Sequence, residues 1–185
     1  MRLFIAMPLP EEIEEHLGKV IFALKQKRGK VKWVAPKNIH LTVKFLGEVD
    51  EDQVDKITPL LTEVALKFKV IKTSSDRVGA FPNLSHPKII WAGLNGETAR
   101  MTEIAEAIED ALEPLGFEKE NRRFKAHLTL GRIKDGRDLN ELTDYIKSYD
   151  FTPAAFDMDR IVLFKSTLTP RGPIYERLFE AVLPE

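Results

Sequence analysis

The chain of 185 residues contains no cysteine. That excludes disulfides, thiolate nucleophiles and cysteine-ligated zinc, and it suits a reducing cytosol. Long hydrophobic runs are also missing. The apolar stretch Leu3 to Met7 is too short for the core of a signal peptide, and nothing approaches the roughly 18 consecutive apolar residues that a membrane span needs. The expected setting is cytoplasmic, without a targeting segment or a membrane partner. Charge of one sign does not accumulate either: 28 Lys and Arg against 29 Asp and Glu leave a net −1 and a pI near 6.5. Such a balance argues against a protein that tracks long stretches of nucleic acid on a basic stripe. Two local basic clusters stand against it, Lys25, Lys27, Arg28, Lys30 and Lys32, and Arg122, Arg123 and Lys125. Each reads first as a solvated surface. Glycine-rich phosphate loops, a Gly-x-Ser-x-Gly elbow and acidic clusters are absent. With only two glutamines and 31% charged residues, the composition leans toward a thermophile's surface chemistry.

What is there is a repeat. His40-Leu41-Thr42-Val43 returns 87 residues later as His127-Leu128-Thr129-Leu130. Four histidines and eleven threonines in 185 residues make two such pairs a rare coincidence. The same shift lays Arg2 to Ala6 on Ile89 to Gly93, two apolar runs of the length of buried strands. After the first run, Ile13, Leu17, Val20, Ile21 and Leu24 recur at helical spacing within Glu11 to Lys27, with acids in the first turn and bases in the last. After the second, Met101, Ile104, Ala105, Ile108 and Leu112 form the equivalent stripe, which stops near Pro114 and Gly116. Second helices are expected over Asp52 to Lys67 and Leu139 to Tyr149, and closing strands near Phe68 to Phe81 and Phe156 to Thr169. The pattern predicts one α+β domain over residues 1–185, built from a unit repeated over about 1–85 and 86–185. Its two pseudo-symmetric lobes would each hold a small, mostly antiparallel sheet backed by helices, with a cleft between them. A hydrophobic content of 43% is enough for a sizeable core.

Side chains alternate on a strand, so His40 and Thr42 share one face while Leu41, Val43 and Phe45 share the other, apolar one. His127 and Thr129 repeat the arrangement above Leu128 and Leu130. Each imidazole then stands about 7 Å from its hydroxyl, at roughly 3.3 Å per residue. Two such pairs facing each other make a box that would fit a phosphate. One neutral imidazole would take a proton from an attacking water, an imidazolium would protonate the leaving alkoxide, and the hydroxyls would donate to the non-bridging oxygens. No metal or other cofactor is required, and neither copy offers His-x-His, His-x-x-x-His or a carboxylate on the same strand face. His16, among helix acids, and His86, before Pro87, read as surface residues.

These residues resemble the two-histidine phosphoesterases, and within them the RNA 2',3'-cyclic phosphodiesterases, also called 2'-5' RNA ligases. The resemblance runs through Arg2 to Ala6 with Pro8, Trp33, Asn38 to Thr42, Phe45-Leu46-Gly47, Phe81, Pro87, Trp91, Phe124, His127 to Arg132, Leu163 to Ser166, Gly172 and Tyr175. It implies metal-independent hydrolysis of a terminal 2',3'-cyclic phosphate on RNA to a 2'-phosphomonoester. His40 would be the proton donor, His127 the acceptor, and Thr42 and Thr129 would hold the phosphate. The ligands it implies are an RNA 3' end or a small cyclic nucleotide, for which the local basic clusters would suffice, and no protein partner is called for. The family's motif arginine falls on Arg132. Strict alternation puts Arg132, five residues after His127, on the core side, unless Gly131 breaks the strand or the strand ends there. Tyr175 and Phe45 are candidates to stack on a terminal base or ribose, and equally natural core aromatics. Two other readings remain open: RNA ligation, the reverse reaction, and a module that binds RNA ends or nucleotides without turnover.

Overall fold

The computed structural model describes all 185 residues. In chain order the elements are β1 (Arg2–Pro8), α1 (Glu11–Lys25), β2 (Lys30–Trp33), β3 (His40–Glu48), α2 (Glu51–Ala65), β4 (Ile71–Phe81), β5 (Ile89–Gly96), α3 (Thr98–Leu112), β6 (His127–Asp135), α4 (Asn140–Ser148), β7 (Ala154–Met158), β8 (Arg160–Thr169) and β9 (Gly172–Val182). The duplication is carried faithfully into three dimensions. Adding 87 to the bounds of α1 gives 98–112, the bounds of α3, and adding 87 to β3 gives 127–135, the bounds of β6. The periodic apolar residues of both helices are all buried, because one stripe per helix faces the sheets. Gly116, at φ 93°, closes the single 3-10 turn that follows α3, a backbone position that a residue with a Cβ rarely adopts.

All strand pairs are antiparallel. They form a four-stranded sheet in the order β3-β1-β8-β9 and a five-stranded sheet in the order β2-β6-β5-β4-β7. The duplicated cores β3-β1-β8 and β6-β5-β4 correspond, but each borrows its third strand. Strand β4, from the first half of the chain, pairs with β5, and β8, from the second, pairs with β1. The run expected as one closing strand over Phe156 to Thr169 is two strands, β7 and β8, in different sheets. Strands β9 and β7 extend the far edges of the two sheets, and β2 is added beside β6.

One contiguous core of 38 buried residues spans both sheets and α1 to α4. Phe4, Ala6, Val162 and Phe164 form a separate apolar cluster on the four-stranded sheet, with Tyr175 packed against it. Strong burial on one face and an aromatic floor on the other is what leaves the histidine face available for ligands. No helix is long and apolar enough to cross a membrane.

Candidate active site

Both motif strands carry a β-bulge, and the bulges decide which side chains reach the site. On β3, Thr42 pairs with Ala6 and Lys44 with Ile5, so Val43 is the extra residue. Two consecutive side chains, Val43 and Lys44, then point inward at 7% and 3% exposure, and alternation resumes out of phase. Phe45 lands on the histidine face with 61% exposure, which corrects its expected place on the apolar side. Strand β6 repeats the device. Thr129 pairs with Trp91 and Gly131 with Ile90, which makes Leu130 the extra residue. Gly131 is buried against Trp33 and Val31, where a Cβ would lie 2.8 Å from each. Arg132 is thereby turned out onto the face of His127 and Thr129, so a bulge brings it to the cleft while the strand runs on to Asp135.

His40 lies in an aromatic box. Its ring stacks on Phe4 at 4.9 Å, with the edge of Tyr175 at 5.5 Å and Phe164 at 6.1 Å. Burial pushes its pKa down to about 4, and a hydrogen bond with the backbone of Asn38 opposes the shift in part. The Asn38 amide donates to the Pro173 carbonyl at 3.2 Å, tying the segment before β3 to the β8–β9 turn. Beside the ring is a cavity of about 200 Å³ lined by Lys37, Asn38, His40, Phe164, Tyr175 and Arg177, among others. A larger one, of about 320 Å³, lies between the Leu84–Lys88 turn and α4 and touches neither motif.

His127 is held differently. Its Nδ1 is 2.7 Å from the Lys125 carbonyl oxygen, so Nδ1–H donates there and Nε2 keeps its lone pair. Burial lowers its pKa, the Lys125 carbonyl opposes this, and the positive charge of Arg132 lowers it further. Phe81 meets the ring edge-on at 5.0 Å and Trp91 packs on Phe81 at 5.2 Å. Trp91 lies over Gly79, where any side chain would collide with the indole. Arg77 sits 5.7 Å above Trp91, and Lys125 5.7 Å above Phe81.

Arg132 joins the two sides. Its charge acts on His127 and also on Tyr175, whose hydroxyl burial pushes up while Arg132 and Arg2 pull it down. Since Tyr175 packs on His40, the two histidine faces look onto a common cleft. Tyr175 lines the cavity beside His40, and the exposed Phe45 ring lies 6.2 Å from that of Phe4. Phe4, Phe81, Phe164 and Trp91 were missed as site residues because an aromatic on a short strand reads as core. His86 is exposed, with its backbone N–H bonded to Asn83 at 2.9 Å, as a turn residue should be. His16 departs from expectation: it is half-buried, with its ring 5.6 Å from that of Phe151. No three His, Cys, Asp or Glu side chains gather into a metal-holding cluster.

The sequence profile described as LigT like phosphoesterase matches the chain twice, over residues 7–91 and 93–175, one match for each copy of the repeat. A protein of Methanocaldococcus jannaschii named RNA 2',3'-cyclic phosphodiesterase is 41% identical over 181 residues, 97% of this chain and 99% of its own length. One of the same name from Archaeoglobus fulgidus is 38% identical, over 97% of this chain and all of its own. A crystal structure from Thermus thermophilus superposes with a TM-score of 0.79 at 28% identity, covering 99% of this chain and 98% of that one. With both halves matched and both histidine motifs in equivalent places, the chain belongs to the LigT-like phosphoesterase family.

Proposed function

We propose that this protein hydrolyses the terminal 2',3'-cyclic phosphate of RNA to a 2'-phosphomonoester, with His40 as general acid and His127 as general base. The name carried by the archaeal relatives supports the substrate. The observation that carries the mechanism is the pairing of two equivalent His-x-Thr strands, one histidine packed on Tyr175 and the other beside Arg132, whose charge reaches both sides. Burial and the charge of Arg132 favour neutral His127, and the Lys125 carbonyl holds the ring proton on Nδ1, which leaves the Nε2 lone pair free to take a proton from water. The water oxygen then bonds to phosphorus as the P–O3' bond breaks. Burial holds His40 neutral in the free protein, at a pKa of about 4, so the acid's proton arrives with the substrate. The phosphodiester anion raises that pKa, with no cation acting on the ring to offset it, and the proton passes to the departing 3'-oxygen. Thr42 and Thr129 donate to the non-bridging oxygens, and Arg132 faces the charge that builds there. Both proton transfers and the hydrogen bonds to phosphate are assigned to side chains of this protein, and the scheme calls for no metal.

The test is incubation of EDTA-treated protein with a short RNA ending in a 2',3'-cyclic phosphate, resolving 2'- from 3'-phosphate. A 2'-phosphate is expected. A 3'-phosphate would reverse the roles of the two histidines, and joining of a second RNA bearing a 5'-hydroxyl would mark ligation. Alanine at His40 or His127 should lower kcat by about 10²–10⁴ while leaving the circular dichroism unchanged. Activity like that of the unsubstituted protein in either variant would refute the scheme.

A further inference from the structure

We propose that the RNA chain leading to the terminal phosphate lies along the edge strand β2, held by Lys32 and Lys30 next to Arg132. This inference rests on the proposed reaction for its substrate. In the duplicated architecture β3-β1-β8 corresponds to β6-β5-β4, and β9 and β7 extend the far edges. Strand β2 alone has no counterpart: β3 is the bare edge of its sheet, while β6 is covered by β2. The added strand is short and alternates Lys30-Val31-Lys32-Trp33, with both lysines exposed and Val31 and Trp33 partly buried against the core.

Register fixes the direction in which those lysines point. Lys32 pairs with Arg132, and Val31 and Trp33 pair with Ile133 and Gly131. Paired residues share a face of the sheet. Lys32 therefore stands on the cleft face beside Arg132, about 4.8 Å away across the ladder. The register shifts between Lys30 and Val31, which sets Lys30 opposite Asp135, but alternation along β2 keeps Lys30 on the exposed face of Lys32, about 6.6 Å further along the strand. Arg132, Lys32 and Lys30 take part in no ion pair. The acid closest in effect to Lys30 is Asp135, and Arg137 already grips that carboxylate at 2.6 Å and 3.0 Å. Three cations in a row, none of them in an ion pair, leading outward from the site that would hold the scissile phosphate, fit a polyanion whose end is bound in the cleft. Charged residues also guard an edge strand against pairing with another chain. That role is indifferent to the sign of the charge, which separates it from binding RNA. The second basic cluster, Arg122 and Arg123, lies on the irregular loop before β6, outside the paired strands that fix the row beside Arg132.

The experiment compares Lys30→Glu/Lys32→Glu with the unsubstituted protein on two substrates: 2',3'-cyclic CMP and a ten-nucleotide RNA with the same end. The expected result is a loss of about tenfold in kcat/KM for the decamer at 0.15 M salt, with turnover of the mononucleotide unchanged. The dependence of log kcat/KM on log salt should become shallower by about 1.4, or about 0.7 for each of two phosphates. Lys30→Arg/Lys32→Arg should retain decamer activity. An equal loss on both substrates, or none on the decamer, overturns the proposal. If Arg122→Glu/Arg123→Glu alone weakens the decamer, the RNA leaves by the other end of the cleft. If no cyclic phosphate is turned over at all, the proposed reaction fails. Fluorescence anisotropy with a decamer ending in a 3'-phosphate then still decides the track, which requires weaker binding by the Lys→Glu pair.

Discussion

Two histidines in matching positions have unequal surroundings, and the inequality is measurable. Removing the charge of Arg132 with Arg132→Gln should raise the pKa of His127, because that charge lowers it now. The base would then lose its proton only at higher pH, and the acid limb of the pH profile of kcat/KM should move upward. A limb that stays in place would show that His127 is not the base. His40 makes a separate prediction about stability. Folding lowers its pKa from 6.5 to about 4, so between those values the unfolded chain binds the extra proton. The stabilisation is complete above about pH 6.5 and is lost as pH falls toward 4, amounting to on the order of 3 kcal/mol. His40→Phe keeps the ring packing on Phe4 and Tyr175 without the titration. Denaturant unfolding at pH 7 and pH 4.5 should show a smaller drop for this variant, and equal drops would contradict the burial argument.

Among the elements, β3 and α3 are joined by a buried charge. Lys44, 2% exposed in its side chain, bonds Glu109 at 2.7 Å and the Glu118 carbonyl at 2.8 Å. Glu109 in turn accepts from the backbone N–H of Glu120 at 3.3 Å. The bulge that turns Phe45 outward is the one that turns Lys44 in, so the ion pair holds the strand of His40 to the segment approaching His127. Lys44→Met strands the Glu109 carboxylate and should cost about 3–5 kcal/mol, whereas Lys44→Met/Glu109→Leu should recover most of the loss. Thermal unfolding of the three proteins decides this. A double variant as unstable as the single one would mean that the pair itself is the stabilising unit.

For the whole molecule, the exchange of third strands makes the halves interdependent. Residues 1–85 alone would keep β4 without its partner β5, and 86–185 would keep β8 without β1. Each would also expose part of a core shared across the boundary. Neither half should unfold cooperatively by itself, although the intact chain should unfold in a single transition. A cooperative melt of an isolated half, followed by circular dichroism, would contradict this.

The helices and the first strands of each copy were legible because their periodicity is a local property of the residues, and α1 and α3 fall where the apolar stripes put them. The His-x-Thr pairs were legible for the same reason, since neighbours two apart on a strand share a face before any fold exists. In the second copy even the bulge left a trace: Arg132 in a place that strict alternation reserves for the core. The first copy hid it, because His40 to Phe45 reads as unbroken alternation. What only the tertiary structure decided was the pairing of strands distant in the chain: the bulge opposite Ile5 and Ala6, the exchange of β4 and β8, and the added strand β2. Register and strand order depend on hydrogen bonds to residues far away in sequence, and those bonds, unlike a side chain's preference, are not written at the position they govern.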